Sequence, residues 1–131
     1  MTVRCEFSYK GFEQYLEVLA NAPLELDASI DRANIAGADV ILEGMQRRVR
    51  RRTENLALHL KRSEPQSDGN VRWIEVGIDP EADADTHRYG NVNEFGSSSM
   101  AAQPYVRPAF DEDRAAARRA QRESLQKDAM I

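Results

Sequence analysis

The chain has 131 residues, 41% hydrophobic and 7% aromatic, which suits one domain with a modest, aliphatic and alanine-rich core. Charged residues make up 31% and the net charge is −4, so composition gives no support for whole-protein affinity for nucleic acid. No apolar run approaches the ~20 residues of a bilayer span. The opening segment lacks a signal-peptide pattern, which predicts a cytosolic product, and the single cysteine, Cys5, excludes an intramolecular disulfide framework.

Val3 to Tyr9 alternates Val3, Cys5, Phe7 and Tyr9 with polar residues, the period of a half-buried strand in which Cys5 reads as a small hydrophobe. Phe12 to Ala20 places Phe12, Tyr15, Leu16 and Leu19 at helical spacing. A longer helix is predicted from Leu24 or Asp27 to Arg52, with Ile30, Ala33, Val40, Ile41, Met45 and Val49 in its stripe. Gly37 and Gly44 lie two turns apart on nearly the same face of it. Each costs about 1 kcal/mol of helix propensity, so they point either to close approach of another element or to a bent helix.

Asn55 to Arg62 reads as a short strand or helix end, and Pro65 with Asp68-Gly69 as hairpin punctuation. Val71 to Ile78 is a strand with Trp73 on one face and Ile74, Val76 and Ile78 on the other. An acidic loop follows, and Thr86 to Phe95 is short helix or irregular. Pro104 to Pro108 is expected to be extended, because each proline disfavours helix in the residue before it. A final helix then starts near Pro108, Asp111, Glu112 and Asp113 near its positive end and Arg114, Arg118, Arg119, Arg122 and Lys127 beyond them. Its stripe of alanines with Leu125 predicts a frayed end, or one ordered only against a partner. The expected fold is α+β: a small antiparallel β-sheet packed against one long helix, with a short N-terminal helix and a C-terminal helix. Residues 1–110 form the domain and 111–131 a helical tail.

The chain offers little chemistry for catalysis. His59 (with Asn55) and His87 (with Asp83 and Asp85) have no second histidine at ligand spacing. Ser97 to Ser99 follow a glycine but form no nucleophile elbow. The glycines match neither a P-loop nor a dinucleotide fingerprint. Asp79, Glu81, Asp83 and Asp85 alternate without the glycine and terminal glutamate of a calcium loop. No enzymatic activity, cofactor or metal is therefore expected. The basic cluster Arg47, Arg48, Arg50, Arg51 and Arg52 has two readings: phosphate contact by a helix end, or a helix C-terminus held by the dipole and by salt bridges to acids. The first makes the chain a small DNA-binding or regulatory protein.

The segment Glu94-Phe95-Gly96, a small polar loop, then Gln103-Pro104-Tyr105-Val106-Arg107-Pro108-Ala109-Phe110 has the chemistry of a docking element. Together with Tyr89-Gly90-Asn91-Val92-Asn93 before it, it resembles the neck and tail-completion proteins of long-tailed bacteriophages, prophages and gene transfer agents. Their pattern is Val-Glu-Phe-Gly, a variable loop, and Pro-aromatic-Leu-Arg-Pro-Ala before a terminal helix. Here Asn93 precedes Glu94, Tyr105 stands for phenylalanine and Val106 for leucine. The Pro-Val-Asp-Thr-Gly turn usual after the long helix is replaced by Arg52-Thr53-Glu54-Asn55-Leu56.

The resemblance implies a structural virion protein at the head–tail junction, made in the host bacterial cytoplasm and without a membrane partner. It implies a homo-oligomeric, hexameric ring through which double-stranded DNA passes, joined to a head-closure or connector protein and to a tail-tube or tail-terminator protein. Glu94, Phe95, Gly96, Pro104, Tyr105, Arg107, Pro108 and Phe110 are the candidate interface residues. Arg107 is expected to pair with an acid, either Glu94 or one on a neighbour. Gly96 turns the chain into the loop 97–102, a candidate arm.

Overall fold

The computed structural model describes residues 2–6, 12–20, 26–49, 55–69 and 71–129. In chain order these form β1 (Thr2–Glu6), α1 (Glu13–Ala20), α2 (Leu26–Arg48), α3 (Asn55–Leu58), β2 (Leu60–Arg62), β3 (Gln66–Asp68), β4 (Val71–Ile78), α4 (Ala84–Phe95) and α5 (Val106–Ala129). The fold is α+β, a small antiparallel sheet packed against the long α2, with α1 and α5 as the terminal helices. The expected strand residues Phe7 to Tyr9 lie outside the described residues, as do Arg50, Arg51, Arg52 and the side chain of Cys5.

β4 is the centre of the sheet, with antiparallel partners on both edges. β1 pairs with it from Thr2↔Gly77 to Glu6↔Trp73. On the other edge, β2 runs from Leu60↔Ile78 to Arg62↔Val76, and β3 from Gln66↔Trp73 to Asp68↔Val71. Residues 63–65 thus oppose only 74–75, a bulge at Pro65, which has no N–H to give the ladder. The Ser63 hydroxyl bridges it by accepting the Glu75 N–H at 3.0 Å. As the alternation in β4 predicts, Ile74, Val76 and Ile78 are buried, together with Ala38, Ile41, Met45 and Val49 of α2 and its C-terminal end. Leu56, Leu60, Tyr105, Val106 and Ala109 complete that core.

The two glycines of α2 mark close approach, not a bend. A Cβ on Gly37 would lie 3.0 Å from Gln121 Cγ, and one on Gly44 would collide with the Asp113 carboxylate; both partners belong to α5. The crossing of α2 and α5 is therefore tight because α2 has no side chain at these points.

Two expectations for the C-terminal region need correction. Pro104 to Pro108 is not extended throughout: α5 begins at Val106 and includes Arg107, so the proposed boundary at 110/111 falls inside a continuous helix. Pro108 is its third residue, where a missing N–H leaves no bond unmade. Nor is the end of α5 frayed. Leu125 is fully buried with Phe12, Tyr15 and Ala33 in a second small core. Gln126 donates to the Tyr15 hydroxyl at 2.9 Å and Arg32 pairs with Asp128 at 2.8 Å.

Candidate functional site

The docking segment is organised around one carboxylate. Asp83 caps the start of α4 by accepting the Thr86 N–H and hydroxyl. The helix carries Glu94 into the interior near its end and stops at Gly96, whose φ of 78° belongs to the left-handed region that glycine tolerates. The chain turns back through 97–104, fastened by the Gln103 N–H donating to Asn93 O at 2.7 Å. Glu94 Oε2 then accepts the N–H groups of Tyr105 (2.9 Å) and Val106 (3.0 Å). Its Oε1 accepts the Arg107 N–H (3.1 Å) and Nε–H (2.9 Å). Arg107 Nη2 closes the ring of bonds by donating to Glu94 O at 2.6 Å.

Glu94 is therefore a cap for α5 supplied by another helix. It satisfies donors of the first turn that have no intrahelical acceptor, and its charge sits at the positive end of the helix. Burial pushes the Glu94 carboxyl up, but the N–H groups of Val106, Tyr105 and Arg107 and the Arg107 guanidinium outweigh it and hold the group below its ordinary value. Beside it, burial first and the Glu94 charge second push the Tyr105 phenol up to about 12.

The eight candidate interface residues divide by exposure. Glu94 and Tyr105 are buried, so they brace their own subunit and present nothing to a neighbour. Pro104 and Pro108 are half-buried, and Gly96 shapes the turn. Phe95 (57%) and Phe110 (37%) are among the exposed large hydrophobic side chains. The Arg107 guanidinium lies over the Phe95 ring, 5.2 Å from its centroid, with half of its side chain in solvent. The surface left for a partner is Phe95, Arg107 and Phe110.

The described part of the basic cluster is turned toward α5. Arg48 donates to Asp113 at 2.6 Å and to Glu112 at 2.7 Å, and Arg47 reaches Asp113 at 3.2 Å. The hydrogen bond from Arg48, with its charge, holds the Asp113 carboxyl low, and the Asp113 bond raises Arg48 in turn. Of the two readings of the cluster, Arg47 and Arg48 follow the salt-bridge one. Asp79 pairs with Lys61 at 3.0 Å, and its carboxyl is lowered first by the Glu81 N–H and then by Lys61. His59 lies in the turn between α3 and β2, and His87 is half-buried on α4.

The sequence did not single out a cleft of about 280 Å³ between β1, α2 and α5. Ile41, Phe110 and Ala117 give it an apolar floor, and Arg4, Arg114 and Arg118 a cationic rim. The guanidiniums lie over aromatic rings: Arg4 over Trp73 at 4.5 Å, Arg114 over Phe110 at 5.6 Å and Arg118 over Phe12 at 5.0 Å. The one signal in the sequence was the i, i+4 spacing of Arg114 and Arg118, which the helix dipole also explains. Comparison with protein-family models, with curated proteins and with solved structures finds no match. Among the described residues, no helix is long and apolar enough to cross a membrane.

Proposed function

We propose that this chain is a non-enzymatic structural protein of a phage-type head–tail junction, a neck, tail-completion or tail-terminator subunit that assembles as a ring around the path of DNA. The observation that carries the reading is the segment from Tyr89 to Phe110. Its Glu-Phe-Gly and Pro-Tyr-Val-Arg-Pro-Ala parts resemble the family pattern, and they meet through the bonds of Glu94 with Tyr105, Val106 and Arg107. That geometry gives a physical reason for the glutamate and the arginine to occur together across a variable loop. It also leaves Phe95, Arg107 and Phe110 on the surface, the aromatic and arginine composition enriched at protein interfaces.

The test is the mass of the purified protein, alone and mixed with the head-closure and tail-tube products of neighbouring genes. A ring, or a defined complex with either product, is expected. A strict monomer that joins neither overturns the reading.

A further inference from the structure

Paired and unpaired arginines divide sharply along the chain. Every described arginine from Arg4 to Arg107 forms an ion pair with a carboxylate, at 2.6 to 3.6 Å. Beyond Arg107 the pattern changes. Residues 114–122 of α5 hold four arginines and no acid. Among the described residues no carboxylate pairs with Arg114, Arg119 or Arg122. The acids nearest in sequence do not answer them: Glu112 and Asp113 are held by Arg48. Asp111 and Glu123 stand at helical spacing from Arg114 and Arg119 and pair with neither.

Arg114, Arg119 and Arg122 are all exposed, on the side of α5 turned away from the buried Val106 and Ala109. At about 100° per residue, positions 114, 118, 119 and 122 fall within an arc of about 140°. Ala115, the small residue among them, is exposed as well and lets a partner come close to the helix. Arg114 lies over the Phe110 ring at 5.6 Å, a contact that orders the side chain without neutralising its charge. Arg118 is engaged by the Phe12 ring, 5.0 Å away.

The composition of this face selects its partner. No exposed large apolar side chain lies between 114 and 122, so a protein would find charge there without the buried anchor that its interfaces are built on. A phosphate backbone needs no such anchor. The face spans about 12 Å of helix, a length in which a DNA duplex carries about seven charges. We infer that Arg114, Arg119 and Arg122 bind the phosphate backbone of duplex DNA without regard to sequence. The net charge of −4 belongs to the rest of the surface and does not cancel a local stripe of this kind. Turning the face toward a channel rests on the ring reading above, whereas phosphate binding stands on the unpaired arginines alone.

The test is fluorescence anisotropy of a labelled duplex of random sequence, titrated with the full-length protein at several salt concentrations. Three phosphate contacts give a slope of log K against log salt of about −2.7 per bound subunit, a loss of about 40-fold between ~50 and ~200 mM salt. The triple variant Arg114→Gln, Arg119→Gln, Arg122→Gln keeps helix propensity at exposed sites and is expected to keep the wild-type melting temperature. Its affinity at ~50 mM salt falls by about 100-fold or more, and the slope falls toward zero. Lysine at the same three positions restores both, because the contact is one of charge.

A wild-type protein that does not bind the duplex at ~50 mM salt overturns the inference, as does a triple variant with wild-type affinity and slope. Either result leaves the ring reading to its own test of mass. A triple variant that binds DNA normally but no longer joins the head-closure or tail-tube product makes the face a protein contact, and also overturns the inference. A chain that binds DNA as expected, loses it in the triple variant and stays a strict monomer joining neither product supports the inference while the ring reading falls.

Discussion

Replacing Glu94 by glutamine keeps the shape of the side chain and removes only its charge and half of its acceptors. With the amide oxygen in the place of Oε2, the bonds from Tyr105 and Val106 survive as neutral ones, each weaker by about 1 kcal/mol. The amide NH₂ then faces the Arg107 N–H and Nε–H, donor against donor. The stranded backbone N–H costs about 1–2 kcal/mol. The guanidinium adds little, because half of the Arg107 side chain is in solvent and water replaces its partner. A neutral amide is also cheaper to bury than a carboxylate, which offsets part of the loss. The net destabilisation is about 2 kcal/mol, and at roughly 3–5 °C per kcal/mol for a chain of this size the melting temperature falls by about 6–10 °C.

The assay is thermal unfolding by circular dichroism at neutral pH, repeated as a function of pH. The folded-state value of Glu94 lies below the ordinary 4.5, so in that interval the unfolded chain binds the extra proton. The stability Glu94 contributes is therefore complete above 4.5 and is lost as pH falls through the folded-state value. Wild type loses more stability than Glu94→Gln over that acid range, and the two curves converge. A variant that melts within about 2 °C of wild type at neutral pH, with a parallel acid profile, refutes the capping argument.

Arg107→Ala removes the exposed half of the same pairing and is expected to cost no more than about 1 kcal/mol of stability while abolishing assembly of complete particles, scored by electron microscopy of complemented lysates. If it unfolds the domain, Arg107 is a brace of the core and not a contact residue. Gly90→Val places methyls against Ile78, Leu56 and the Tyr105 hydroxyl, and overpacking there lowers stability by about 3 kcal/mol in denaturant titration; a neutral result means the core yields at this point. Asp113→Asn is expected to cost about 1–2 kcal/mol and, in a double-mutant cycle with Arg48→Ala, to show coupling near 1 kcal/mol. Zero coupling shows that the α2–α5 crossing does not depend on this pair.

What the sequence made visible depended on the range of the interaction. The strand β4 announced itself because Ile74, Val76 and Ile78 alternate within eight residues and all face one core. Gly37 and Gly44 signalled a close neighbour because a helix accepts such a propensity cost only for a reason, yet nothing local named Gln121 and Asp113 as that neighbour. The pairing of Glu94 with Arg107 was readable as one of two options, since both residues stand at fixed places around a loop. The start of α5 was misplaced because the rule against helix before proline is local, whereas the compensation comes from a carboxylate on α4. The end of α5 was misjudged for the same reason: Leu125 looks weak alone and is strong only beside Phe12 and Tyr15, more than a hundred residues away. The arginine cleft needs three elements to exist at all, and no window of sequence contains it.

The cap that Glu94 makes has a practical side. Residues 97–104 run between two points that are held together by Glu94 and by the bond from Gln103 to Asn93, whatever the chain does between them. Doubling the length of a connection closed in this way costs only about 0.6 kcal/mol in entropy. Ser98 and Ser99, both exposed at its tip, therefore mark a socket into which an epitope tag or a dye-bearing cysteine can be placed while α5 keeps its starting residue. Through that handle the order in which subunits arrive during assembly becomes something that can be watched.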